Sequence, residues 1–101
     1  MRMDNRIAVV ARIKAKEGME ATLKEILLSV IGPGRADEGC INYELHQAIK
    51  DPSIFVFYEI WQSKEHLQKH GATSHMQQFR DKVKDLVKEP PELTLLTILS
   101  S

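Results

Sequence analysis

The histidines and one carboxylate in an apolar stretch are the side chains of this sequence best suited to acid–base chemistry. His66 and His70 are four residues apart, and His75 follows five residues later. Glu59 lies in Ile54–Trp61, where all the remaining residues are apolar or aromatic. Burying an unpaired carboxylate is costly or raises its pKa. Glu59 therefore needs a hydrogen-bond partner, a cavity with water or a catalytic task.

The histidine spacing also raises the question of a metal. His66 and His70, at i and i+4 of a predicted helix, could place two imidazoles on one face, as in helical metal sites. A third ligand could come from His75, His46 or Glu59. The sequence has no H-E-x-x-H motif and a single cysteine, so we expect no metal site.

Each histidine also has a simpler interpretation. For His66 we favour a solvent-facing position on the helix. His70, beside a helix-ending glycine, could interact with the negative end of the helix dipole. His75 begins the following helix, where a positive charge is disfavoured. This position favours a neutral imidazole, which could act as a base.

The strand that contains Glu59 connects these residues to a possible cavity. Period-2 geometry puts Glu59 and Trp61 on the same face. If that face lies under the helices, a carboxylate, an indole N–H and an imidazole surround an apolar space, as in a small-molecule site. The alternative is a polar trio in the core whose hydrogen bonds are satisfied. The residues alone leave both open.

Composition limits the class of protein. The 101 residues fit one domain with a core at about residues 6–99, and 14 basic residues balance 14 acidic ones. Without a basic stripe, nucleic acid is not an expected partner. The lone Cys40 fits a reducing compartment, and no apolar run is long enough to span a membrane. We expect a cytoplasmic protein.

Hydrophobic periodicity predicts the elements that position these side chains. One helix starts near Met19 and ends at Gly32-Pro33-Gly34, with a charged loop at residues 35–39. Ser63 is the predicted N-cap of a short helix that Gly71 ends, and Ser74 with Gln77 predicts a capping box for the next helix, which continues toward Glu89-Pro90-Pro91. Alternating or continuous apolar patterns predict strands at Arg6–Lys14, Cys40–Gln47, Ile54–Trp61 and Glu92–Leu99.

The order β-α-β-β-(α,α)-β predicts an α+β, ferredoxin-like split βαβ fold with an antiparallel sheet and its helices on one face. The helices can cover only one side of the sheet, yet Ile54–Trp61 is apolar on both. A sheet face that is apolar and uncovered is unusual in a monomer. We therefore expect a homodimer that packs through its sheet faces.

These patterns, taken together, resemble the antibiotic biosynthesis monooxygenase (ABM) family. The resemblance covers roughly Arg6 to Leu99 and is closest to the small quinol-monooxygenase-like members. It is carried by Gly39-Cys40-Ile41-Asn42-Tyr43-Glu44, Tyr58-Glu59-Ile60-Trp61-Gln62-Ser63 and His70 followed by Ser74-His75. No single motif is diagnostic, but the ordered set is fairly specific.

The resemblance implies a dimeric α+β barrel that oxidises a quinol-like or phenolic substrate with O2 as co-substrate, without a metal or flavin cofactor. His75 or His70 would be the base, Glu59 would orient it, and Trp61 would position the substrate. We expect further substrate contacts from a set of polar and aromatic residues: Asn42, Tyr43, Phe57, Tyr58 and Phe79.

Departures from the family pattern restrict what can be transferred. Phe57 stands where the polyketide-oxidising branch has an asparagine. The Asn/Trp/His trio of the haem-degrading branch matches Ala11, His70 and Arg80, so we do not expect haem breakdown. Two other functions stay open: isomerisation or breakdown of a small hydroxy-ketone, and a non-catalytic dimeric module that binds ligands or serves a stress response.

Overall fold

The computed structural model describes residues 5–100 as one antiparallel four-stranded sheet with helices packed on one face. The strand order is β2-β3-β1-β4, which confirms the predicted ferredoxin-like topology. None of the helices within this range is long and apolar enough to cross a lipid bilayer. In chain order the elements are β1 (Ile7–Lys14), α1 (Glu20–Ser29), α2 (Ile31–Ala36), β2 (Cys40–Gln47), β3 (Ile54–Trp61), α3 (Lys64–Ala72), α4 (Ser74–Val83) and β4 (Glu92–Thr97).

Strand β3 lies between β2 and β1 and pairs antiparallel with both. Its residues alternate in burial along the whole strand. Phe57, Glu59 and Trp61 are buried on the side that the helices cover. The sequence left open which face of the sheet carries Glu59 and Trp61. The structure places both under the helices, where a cavity can form.

Strand β2 departs from simple alternation at a β-bulge near its start. Cys40 pairs with Trp61 and packs against the core, whereas Ile41 is 48% exposed. Alternation predicted the opposite for these two residues. Because a bulge adds one residue to one strand, the faces exchange at that point, and Tyr43 is then buried as predicted.

The segment Gly32-Pro33-Gly34 is helical, which corrects the prediction that it ends the helix and opens a loop at residues 35–39. α1 buries Leu23 and Leu27 of the predicted apolar stripe and ends at Ser29. α2 then contains the glycines and the proline. Proline fits there because the first N–H groups of a helix have no intrahelical partner.

The caps of the last two helices were predicted with mixed success. Ser63 caps α3, accepting a hydrogen bond from the His66 backbone N–H at 3.2 Å. For α4 the predicted cap, Ser74, is wrong by one residue. Thr73 has the extended backbone that an N-cap requires, and its Oγ1 accepts from the Met76 N–H at 3.3 Å.

Strand β4 is an edge strand that the helices leave uncovered. It is shorter than predicted, and all six of its residues are exposed. The register with β1 puts Leu93 and Leu95 on the helix side of the sheet, where they remain 59% and 46% exposed. The inner face of the sheet is therefore closed at β3 and open toward β4.

Candidate active site

A cavity of about 510 Å³ lies between the inner face of the sheet and helices α3 and α4. That volume is in the range typical of small-molecule sites. Its walls are mainly apolar, and Leu93 of the edge strand forms part of the rim. Five residues predicted from the sequence line it: Tyr43, Phe57, Glu59, His70 and Phe79.

The aromatic walls of this cavity pack against one another. The rings of Tyr43 and Phe57 are 5.3 Å apart between centroids, and Phe57 meets Phe79 edge-on at 6.4 Å. Burial raises the pKa of the Tyr43 phenol, with Glu59 as a smaller cause. The phenol therefore stays protonated and able to donate a hydrogen bond.

His70 is the imidazole that reaches the cavity. It projects from the last turn of α3, is 4% exposed, and lies tilted over Trp61 with ring centroids 4.5 Å apart. Burial lowers the pKa of His70, against an opposing contribution from Asp37. A buried imidazole of lowered pKa is neutral near pH 7, which is the form that can act as a base.

Asp37 holds His70 and His75 through a single oxygen atom. Its Oδ2 lies 2.6 Å from His70 Nδ1 and 2.9 Å from His75 Nε2. An ionised carboxylate only accepts hydrogen bonds, so each histidine donates from the nitrogen named. His70 then has its unprotonated nitrogen at Nε2, since Nδ1 is the nitrogen that donates to Asp37. The carboxylate thus fixes the tautomer that a base needs.

His75 occupies the outer side of this pair. It lies in the first turn of α4, its side chain is 32% exposed, and it is not among the residues that line the cavity. Its ring centroid is 6.3 Å from that of His70. Of the two candidate bases, only His70 is in a position to touch a molecule in the cavity.

Glu59 pairs with Trp61 instead of a histidine. The indole Nε1–H donates to Glu59 Oε1 at 2.9 Å. Burial raises the pKa of Glu59, and the hydrogen bond from Trp61 only partly opposes this. Trp61 itself is 0% exposed and stacks on His70 from behind. Glu59 is therefore a polar group of the cavity wall, and the carboxylate that orients the histidines is Asp37.

Two residues predicted to contact substrate lie elsewhere. Asn42 and Tyr58 are on the outer face of the sheet, where Asn42 Nδ2 donates to the Tyr58 carbonyl oxygen at 3.1 Å. Neither lines the cavity. Strand alternation explains this, because both neighbours of a residue that points inward must point outward.

Asp37 is the site residue that sequence reasoning missed. It follows α2 directly and is 33 residues from His70 along the chain. The sequence signal was a charged run, Arg35–Glu38, which looks like an ordinary surface loop. No spacing rule joins such a loop to a distant helix, so only the folded chain reveals the contact.

The same three residues are also those in the described part of the chain that could hold a metal. Ligand atoms of Asp37, His70 and His75 all lie within 4.8 Å of one another. Two imidazoles and a carboxylate are a ligand set that iron sites use. The distances of 2.6 and 2.9 Å are those of charge-assisted hydrogen bonds, so the trio as it stands is a hydrogen-bonded network.

Comparison with known proteins shows a consistent pattern of similarity. The sequence profile of a family described as "Antibiotic biosynthesis monooxygenase" matches residues 6–82. The Mycobacterium tuberculosis protein "Putative monooxygenase Rv0793" is 30% identical over 97 residues, which are 96% of this chain and 95% of that protein. Its solved structure superposes with a TM-score of 0.90 at 28% identity, covering 95% of this chain and 97% of the other.

Two further relatives agree with this result. "Putative monooxygenase YcnE" of Bacillus subtilis is 34% identical over 85 residues, 83% of this chain and 88% of its own length. The Synechocystis protein sll1783 is 28% identical over 95 residues, and the match covers 94% of this chain. The chain spans 65% of the length of that Synechocystis protein.

Proposed function

The chain belongs to the antibiotic biosynthesis monooxygenase family, and from that premise we propose that it oxidises a small quinol-like or phenolic substrate with O2. The observation that carries the proposal is His70, held by Asp37, on the wall of an apolar cavity. A base of fixed tautomer beside an apolar space is what deprotonation of a phenol requires.

The first step would be removal of the phenolic proton by His70 Nε2. Asp37 stabilises the imidazolium that results, since it already accepts from Nδ1. The mainly apolar walls of the cavity offer the phenolate few hydrogen-bond donors in place of water. The anion is therefore electron-rich and easily oxidised.

The second step would be reaction of that anion with O2. One electron passes to O2, and the two radicals combine at a ring carbon that carries a hydrogen. The peroxide anion takes back the proton held by His70, and the resulting hydroperoxide loses water with that ring hydrogen. One oxygen atom ends as a ring carbonyl and the other as water, while the phenol becomes a quinone. The electrons come entirely from the substrate, so the reaction needs no other reductant. The chain's residues supply deprotonation, orientation and exclusion of bulk water.

The test is O2 consumption by metal-depleted protein with a panel of naphthols and naphthoquinols, using 18O2 to follow one atom into the product. We expect His70→Gln to lower kcat about 10²- to 10⁴-fold, the contribution typical of a general base. His46→Gln is the matched control, because His46 is exposed and outside the cavity lining. Full activity in the His70 variant would refute the assigned base, and no O2 consumption above background would refute the monooxygenase.

A second candidate is isomerisation of a small hydroxy-ketone without O2. Glu59 favours it, because its pKa is raised by burial and a protonated carboxyl in the same cavity as His70 could return a proton to the substrate. Incorporation of deuterium from D2O into a hydroxy-ketone, under anaerobic conditions, would identify this activity. Uptake that needs O2 would identify the first.

A further inference from the structure

We infer that the substrate carries a carboxylate, which Arg80 and Lys84 bind at the mouth of the cavity while its aromatic rings fill the interior. This rests on the proposed function, because it specifies the substrate of the same site. The inference starts from an asymmetry of charge in the residues that line the cavity.

Arg80 and Lys84 both line the cavity from the end of α4. Residues four positions apart lie on the same side of a helix, and Lys84 is the C-cap whose backbone N–H bonds to the Arg80 carbonyl. Both side chains are exposed. Two cationic groups therefore stand together where the cavity meets solvent.

The guanidinium of Arg80 is held in place without being neutralised. Its Nη2 donates to the Gly71 carbonyl oxygen at 2.9 Å, and Gly71 also lines the cavity. Within residues 5–100, neither Arg80 nor Lys84 forms an ion pair with an acidic residue. The remaining guanidinium donors are free to bind an anion, and their planar arrangement matches a carboxylate.

No group of the cavity wall compensates these two charges. Glu59 is the one acidic residue among the described residues that line it. Its carboxyl accepts the indole N–H of Trp61, and burial raises its pKa, which favours the neutral form. Phe57 and Phe79 make the interior aromatic. The cavity thus offers an apolar interior and a cationic rim, which together select an aromatic acid.

Binding to the full chain tests this with a matched pair of probes, 2-naphthoate and the neutral, similarly shaped 2-naphthamide, followed by titration calorimetry. We expect the acid to bind about tenfold more tightly, because charge-assisted hydrogen bonds are stronger than neutral ones and the rim is exposed. The preference should shrink as ionic strength rises, since salt screens exposed charges.

Substitution locates the effect. Arg80→Gln with Lys84→Gln should bring the ratio of the two affinities to about one while the amide still binds as it does to the unsubstituted protein. Lys82→Gln should leave the ratio unchanged, because Lys82 is an exposed cation of the same helix that does not line the cavity. The amide's affinity serves as the check that the variants are folded.

Equal affinities for the two probes, no binding of either, or an unchanged ratio in the double variant would each overturn the inference. These outcomes are independent of oxygen chemistry. Selective binding of the acid without O2 consumption would support the rim and refute the monooxygenase. O2 consumption with neutral naphthols and no preference for acids would refute the rim alone.

Discussion

At the level of residues, a single carboxylate oxygen of Asp37 connects the two histidines of the candidate site. It accepts hydrogen bonds from both His70 and His75. A positive charge at His75 also lowers the pKa of His70, as Arg80 does, although burial is the largest cause. We therefore propose that His75 is a positioning residue on the solvent side and that His70 is the base.

The pH dependence of activity follows from these contacts. Since burial lowers the pKa of His70, we expect kcat/KM to rise with pH through a midpoint below the ordinary histidine value of about 6.5. Asp37 opposes that lowering, so Asp37→Asn should move the midpoint further down. It should also reduce kcat about 10²-fold or more, because the tautomer is no longer fixed.

The pH–rate profile of a control variant at the adjacent residue, Glu38, separates the specific effect of Asp37 on the midpoint from a general loss of negative charge. Glu38→Gln removes the adjacent carboxylate, which pairs with His66 and Lys69 instead. Its midpoint should match that of the unsubstituted protein. If the midpoint for Asp37→Asn does not move, the shared carboxylate does not control the base.

At the level of elements, α2 sets the position of the cavity wall and of Asp37. Gly34 is buried in α2 directly against the Tyr43 ring, so that a methyl group there would overlap the ring. The Arg35 Nε–H donates to the Tyr43 carbonyl oxygen at 3.1 Å, which fastens the same helix to β2. Asp37 follows at the C-cap of this helix. A short helix that the sequence did not indicate therefore aims the carboxylate at the two histidines.

Replacement of glycine in α2 tests this close packing. We expect Gly34→Ala to lower the free energy of unfolding by about 1–3 kcal/mol, the usual effect of overpacking, and to weaken binding in the cavity as Tyr43 moves. Gly32→Ala should be neutral or stabilising by up to about 1 kcal/mol, because nothing lies near its Cβ position and alanine favours a helix. Urea denaturation of both variants measures the difference, and equal stabilities would contradict the packing argument.

At the level of the whole molecule, the sheet has one covered face and one uncovered face. The register places Val10, Val56, Ile60 and Leu96 on the outer side, and Leu96 is 37% exposed. The exposed leucines of β4 add apolar surface on the other side of that edge strand. Apolar side chains on a sheet face that no helix covers are usual at interfaces. We propose that a second copy of the chain covers it, sheet against sheet.

Sedimentation velocity at micromolar concentration tests the proposed dimer. The unsubstituted chain should sediment as a dimer. Ile60→Lys should raise the Kd of the dimer at least about tenfold, because burying an unpaired ammonium in the interface is costly. Gln78→Lys, on an exposed helix position, should leave the dimer intact. A chain that sediments as a monomer at this concentration would contradict the proposal.

Periodicity in the sequence was enough to predict the ferredoxin-like order of strands and helices, the central place of Ile54–Trp61 and the hairpin that it forms with Cys40–Gln47. These features follow from local rules, because burial repeats about every two residues in a strand and about every 3.6 residues in a helix. The errors, in contrast, have non-local causes. The bulge that exchanges Cys40 and Ile41 and the helix through Gly32-Pro33-Gly34 are each decided by packing partners distant in sequence.

The site divides in the same way. The sequence by itself determined that His70, Glu59 and Trp61 were candidates, because polar and ionisable side chains in apolar patterns are detectable from neighbouring residues. Only the tertiary structure decided that Asp37 joins His70 and His75, that Glu59 pairs with Trp61, and that Asn42 and Tyr58 face away from the cavity. Hydrogen-bond partners depend on distances of about 3 Å between segments far apart in the chain, and no local pattern encodes those distances.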